Sequence, residues 1–102
     1  LIFVTIGMHV IGFERLIKKM DEIAGGIDEE VIMQIGTTKY EPKNAEYFRF
    51  ISYPEICELN RKARVVVAHG GTGSVITALE QGTPVIAVPR LKEYGEVIDN
   101  QQ

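Results

Sequence analysis

Tryptophan is absent from these 102 residues, cysteine occurs once and histidine twice. Each scarcity excludes something. A single cysteine, Cys57, cannot form an internal disulfide and suits a reducing compartment. Beside Ile56 in a helical pattern, its expected role is core packing. With so few ligand-type side chains, no cluster has metal-ligand spacing, and neither a metal nor another cofactor is expected. Positive charge is also short: 11 Lys and Arg stand against 14 Asp and Glu, a net charge of −3, which argues against nucleic acid as the main partner. No apolar run is long enough to span a bilayer, Leu1–Ile6 being far too short. With no signal peptide ahead of it, the expectation is a cytoplasmic protein. What is plentiful is ordinary apolar residue, 45% of the chain, enough for one domain with a real core over residues 1–102.

Taken in order, Leu1–Ile6 reads as a buried strand ended by Gly7. Phe13, Leu16, Ile17, Met20 and Ile23 then recur at helical spacing, with Glu14, Arg15, Lys18, Lys19 and Asp21 assigned to the solvated face. Gly25-Gly26 ends that helix. Val31–Ile35 is a second strand, Lys39–Ala45 a polar loop with Pro42, and Phe48–Ile51 a short third strand. Ser52-x-x-Glu55 is a capping-box pattern opening a helix that carries Ile56, Leu59 and Ala63.

Val65-Val66-Val67-Ala68 has the pattern of a strand buried on both faces. It breaks into His69-Gly70-Gly71-Thr72-Gly73-Ser74 and resumes as a helix with Val75, Ile76 and Leu79 on one apolar face. Gly82 closes this helix, Pro84 opens a second buried strand, Val85–Val88, and residues 96–102 could begin another helix. Strand, glycine loop, helix and strand make a βαβ unit with parallel strands. Three glycines in four positions exceed what a tight turn needs; they let a backbone approach a ligand, while the helix start offers free N–H groups and partial positive charge. Thr72 and Ser74 add hydroxyls. The loop therefore reads as a receptor for an anion, with phosphate the expected one. It is not a P-loop, lacking Gly-Lys-Ser/Thr, and Ile76 stands where a dinucleotide fingerprint wants its third glycine.

Alternating strands and helices imply an α/β fold, a parallel sheet with helices on both faces, which binds ligands beyond the carboxyl ends of its strands. Those ends carry Gly7-Met8-His9, Gly36-Thr37-Thr38, Ile51-Ser52, His69–Ser74 and Pro89-Arg90. His69, beside a helix N-terminus, is expected to be neutral, either touching the ligand or fixing the loop. His9 is the one candidate for a catalytic base, with a plain loop position as its alternative.

Phe3-Val4-Thr5-Ile6-Gly7, Gln34-Ile35-Gly36, the His69–Ser74 loop, Gly82-x-Pro84 and Pro89-Arg90-x-x-x-Tyr94-Gly95-Glu96-x-x-Asp99-Asn100-x-Gln102 together resemble the glycosyltransferase family 28 C-terminal domain. Within it they are most similar to stand-alone donor-binding subunits of two-part UDP-sugar transferases, of the N-linked glycan and bacterial exopolysaccharide types. The resemblance implies a Rossmann-like GT-B donor half that binds a UDP-sugar without a bound metal. It implies inverting transfer to a lipid-linked acceptor, with a membrane-associated acceptor-binding subunit as partner. This chain would then be peripheral to the membrane and inactive alone, the base coming from the acceptor half. Carried over by position, Gly70, Gly71, Thr72, Gly73 and Ser74, with His69, would hold the diphosphate, bordered by Gly7, Met8 and His9. Phe50, Ile51 and Ser52 would lie near the uracil, Thr77 at the ribose, and Asp99, Asn100, Gln101 and Gln102 at the donor sugar.

The chain departs from the family pattern at Thr77, usually a ribose-binding glutamate, at Met8, usually threonine, and at Val97 and Gln101, often histidines. Relatives also continue past the position of Gln102 into further helix, whose loss would leave an apolar surface for self-association. These departures keep a second expectation open, a non-catalytic interaction or regulatory module that retains the fold. A Rossmann domain for another cofactor is a third, weakened by the missing acidic residue after the second strand.

Overall fold

A computed structural model describes residues 1–7 and 11–95. The expectations for Met8 and His9, for Val97, for Asp99 to Gln102 and for a helix over 96–102 lie outside the described residues. Five strands, β1 (Ile2–Thr5), β2 (Val31–Gln34), β3 (Glu46–Phe48), β4 (Val65–Ala68) and β5 (Val85–Ala87), form one sheet in the order β3-β2-β1-β4-β5. Every pairing is parallel. Three helices connect them, α1 (Glu14–Gly25), α2 (Tyr53–Lys62) and α3 (Thr72–Glu80), and a short 3-10 turn spans Lys92–Tyr94. The order reverses between β1 and β4, which opens a crevice beyond their carboxyl ends.

The period-2 alternation of β1 explains the layering. Ile2, Val4 and Ile6 meet Leu16, Ile17 and Met20 of α1 on one face. Phe3, with Val66 and Ala68, packs under Ala63, Ile56, Leu59 and Ala78 of the α2–α3 layer on the other. Helices therefore cover both faces, as the alternating pattern predicts. Removing a fully buried side chain such as Phe3 costs roughly 3–5 kcal/mol.

Several local expectations are corrected. The third strand is Glu46–Phe48, two residues earlier than its apolar run, because this edge strand is fixed by register: Gln34 pairs with Phe48, whose ring stacks on Phe3 at 6.4 Å between centroids. Phe50 and Ile51 are thereby released into the loop before α2. In α3 the buried residues are Thr77 and Ala78, whereas Ile76 and Leu79 are 47% and 59% exposed. Small side chains face the sheet because they let the helix approach it closely. Among the described residues the last strand lies at the edge of the sheet with Ile86 exposed, not buried on both faces. Cys57 is half-buried and belongs to neither core.

Asp21 is also not solvated. It is 1% exposed and takes hydrogen bonds from the Tyr40 hydroxyl, from Asn44 N at 2.7 Å and from Lys43 N at 3.0 Å. The polar loop after β2 is thus organised around one carboxylate of α1. Burial pushes that carboxyl up, but the bonds from Tyr40, Asn44 and Lys43 outweigh it, and the net effect holds Asp21 below its ordinary value.

Candidate functional site

A cavity of about 700 Å³ opens at the carboxyl edge of the sheet, where β1 and β4 diverge. Its floor is Thr5, Gly7 and Gln34; one wall is the His69–Ser74 loop entering α3, and the other is Phe50, Ile51 and the exposed side of α2.

Gln34 builds the floor. Buried at the end of β2, it accepts at Oε1 from Thr5 Oγ1 (2.7 Å), Ile6 N (3.2 Å) and Gly7 N (3.1 Å). Its Nε2 donates to Gly7 O at 3.1 Å and Arg49 O at 2.9 Å. The Gly7 amide is thus held from both sides in a left-handed conformation, φ 72°. A Cβ at Gly7 would lie 2.5 Å from His69 Nε2, and one at Gly71 would also run into that ring. The imidazole is sandwiched between two glycines, and Ser74 Oγ lies 3.3 Å from its Nε2. His69 therefore joins the β1 and β4 loops, whatever else it touches.

The N-terminus of α3 is the electrostatic feature of the site. Its N-cap is Gly71, with no side-chain cap. The first intrahelical bond runs from Val75 N to Gly71 O at 3.1 Å, so the N–H groups of Thr72, Gly73 and Ser74 precede the ladder. Together they carry the positive end of the helix dipole, equivalent to about half an elementary charge. No Lys or Arg lines the cavity among the described residues, so an anion there would be met by backbone N–H groups and the Thr72 and Ser74 hydroxyls. Gly73 has nothing within 4 Å of where its Cβ would be. The protein itself does not need a glycine there; a ligand pressed against the helix start would.

The structure brings most of the sequence-derived residues to this one cavity: Gly7, His69, Gly71, Thr72, Gly73, Ser74, Phe50, Ile51 and Thr77. Gly70 and Ser52 are not among its lining residues. Gly70 makes the turn, φ 86°, against Pro89. Ser52 is the α2 N-cap, accepting from Glu55 N and donating to Glu55 Oε1 at 2.9 Å, as the capping-box spacing predicts. Thr77 donates its hydroxyl to Gly73 O at 2.8 Å. Gly36 and Thr38 also serve the scaffold: Thr38 Oγ1 accepts from Phe13 N at 2.9 Å, and Arg49 donates to both carbonyls. Arg90, fully buried, clamps the β1 exit to the β5 exit by donating to Ile6 O, Ile11 O and Gly12 O at 2.8–3.1 Å.

Sequence reading missed Gln34 as the floor, together with Tyr53, Asn60, Ile76 and Glu80 on the walls. Gln34 had a signal, a lone amide at the end of an apolar strand. The others had none, since their common cavity depends on how α2 sits against α3. Among the described residues no cluster of three or more His, Cys, Asp or Glu could hold a metal ion, and no helix is long and apolar enough to cross a membrane.

Residues 1–102 match the Glycosyltransferase family 28 C-terminal domain. Over 68 residues, 63% of this chain, the sequence is 34% identical to the NDP-glycosyltransferase YjiC of Bacillus licheniformis. Among solved structures, the glycotransferase of kitacinnamycin superposes with a TM-score of 0.70 at 21% identity over 88% of this chain. The glycosyltransferase SnogD from Streptomyces nogalater superposes at 0.63 with 24% identity over 86%. These likenesses in structure establish the fold. The match covers 17% of the curated relative and a quarter of each of these two solved chains.

Proposed function

Because the chain belongs to the glycosyltransferase family 28 C-terminal domain family, we propose that its cavity holds the nucleoside diphosphate of a sugar donor, specifically UDP. The observation that carries this reading is the uncapped start of α3, opening onto the cavity beside a Gly73 whose Cβ position is empty. A diphosphate there would be met by the N–H groups of Thr72, Gly73 and Ser74 and by two hydroxyls. As the sugar leaves, negative charge grows on that diphosphate, and the fixed dipole stabilises it without reorganisation. Phe50 and Tyr53, both exposed beside the cavity, supply faces against which a flat base can stack.

The same reading extends to the whole reaction: inverting transfer from a UDP-sugar to a lipid-linked acceptor, with a membrane-associated acceptor-binding subunit supplying the second half of the site. In this account the domain alone, residues 1–102, binds donor but transfers nothing, and is held at the membrane by its partner. His9 and the sugar contacts at Asp99, Asn100, Gln101 and Gln102 belong to this proposal. Saturation-transfer NMR with UDP tests the donor half. Signal transfer to the base and ribose protons is the expected outcome, and none at millimolar UDP on folded protein would remove the reading.

One observation favours the alternative of a non-catalytic module. The ribose position is Thr77, whose hydroxyl is committed to Gly73 O. If the donor site has decayed, Thr77→Glu restores UDP binding to a protein that otherwise lacks it; if the site is active, the wild type binds first.

A further inference from the structure

The side-chain amide of Gln34 is used on both sides. Its Oε1 collects three donors from the end of β1, and its Nε2 donates to Gly7 O and to Arg49 O. The neighbours settle the amide orientation, since two N–H groups face one atom and two carbonyls face the other. The side chain is 2% exposed and its bonding capacity is spent inside the protein.

The two carbonyls lead to opposite walls of the cavity. Gly7 packs against the His69 ring, which packs in turn against Gly71, the N-cap of α3. Arg49 O, which also accepts from Gly36 N at 3.1 Å, immediately precedes Phe50 and Ile51 on the other wall. Gly7 lies 27 residues before Gln34 and Arg49 lies 15 after it, so chain connectivity does not fix their spacing. The amide does. It must accept and donate at once: a carboxylate has the same shape but offers no proton, and methionine offers only a weakly accepting sulfur.

We propose that Gln34 is a positioning residue for the donor, its amide setting the distance between the start of α3, which meets the diphosphate, and the Phe50–Ile51 segment, which meets the base. The inference rests on the nucleotide reading above and adds the group that holds the two walls of that site in register. Gln34 acts through Gly7, His69 and Arg49. A ligand that spans both walls loses affinity when their spacing shifts, since productive geometry is held to within about 0.5 Å.

Calorimetric titration of the full chain with UDP between pH 4.5 and 7.5 tests this on wild type, Gln34→Glu and Gln34→Met, with circular dichroism checking the fold at each pH. At pH 7.5 the glutamate keeps the acceptor but sets a second oxygen against Gly7 O and Arg49 O, and UDP binding is expected to fall at least tenfold below wild type. Burial and the two facing carbonyls favour the neutral acid, whose O–H returns one donor. The deficit of Gln34→Glu relative to wild type is therefore expected to shrink to within threefold by pH 4.5, whereas that of Gln34→Met stays at tenfold or more throughout. The charged or titratable groups beside the network are Arg49, whose guanidinium donates to Gly36 O and Thr38 O, and His69 across Gly7; all three proteins share them, and the ratio to wild type removes their effect and that of the ligand's own phosphate. A merely structural role would lower stability and leave the affinity of the folded protein independent of which side chain replaces the amide. If Gln34→Glu does not fold, Gln34→Met decides alone. Wild-type affinity in either folded variant at pH 7.5, or deficits that follow the same pH course in both, overturns the positioning role and leaves the nucleotide reading standing. Absence of UDP binding by wild type overturns both.

Discussion

Gly73 and Gly7 carry opposite obligations. At Gly73 an added methyl meets no atom of the protein, and alanine is the better helix former, so Gly73→Ala should keep or raise stability by about 0.5–1 kcal/mol. It should nevertheless weaken UDP binding at least tenfold, because the methyl occupies the space assigned to the diphosphate. At Gly7 the methyl would face both a left-handed backbone and the His69 ring, so Gly7→Ala should destabilise by roughly 1–3 kcal/mol, read from urea unfolding. Both glycines stood out in the sequence, but their obligations did not. One serves packing between two loops 62 positions apart in the chain, and only the three-dimensional neighbours separate it from one that serves a ligand. Gln34 was less legible still: its amide reads as a polar lapse in a strand until the Gly7 turn it holds is seen.

Helices and strands were legible wherever apolar residues repeat, as in α1 and β4, and illegible where a partner distant in sequence decides. In α3 the repeat of Val75, Ile76 and Leu79 pointed to the wrong face, since close approach to the sheet favours Thr77 and Ala78. Leu79→Ser should therefore change stability by no more than about 0.5 kcal/mol, far from the several expected of a core leucine, and thermal unfolding checks it. Asp21 was assigned to solvent because its partners, Tyr40 to Asn44, lie in a loop some twenty residues on. Its folded pKa is lowered, so its contribution is complete above the unfolded value near 4 and is lost as pH falls through the folded value. Asp21→Asn should cost about 1–3 kcal/mol at pH 7 and flatten the acid limb of the stability profile below pH 4. Thermal melts between pH 2 and 7 read both effects.

At the scale of the molecule, a parallel sheet of order β3-β2-β1-β4-β5 sends every strand's carboxyl end to one edge, and the cavity lies where the order reverses. A site beyond the carboxyl ends was legible from the alternation of elements alone; the strand order that puts it between β1 and β4 was not. The shape of the cavity was not, because it follows from Phe50 and Ile51 leaving the sheet early and from α2 meeting α3 around Thr83. The account's central claim is that this edge grips a diphosphate through the open start of α3. Isothermal titration of UDP into wild type and Gly73→Ala, with matched circular dichroism, tests it most directly. The account predicts saturable UDP binding to wild type and at least a tenfold loss in an equally folded Gly73→Ala; no binding to wild type at millimolar UDP, or equal binding by the two proteins, contradicts it.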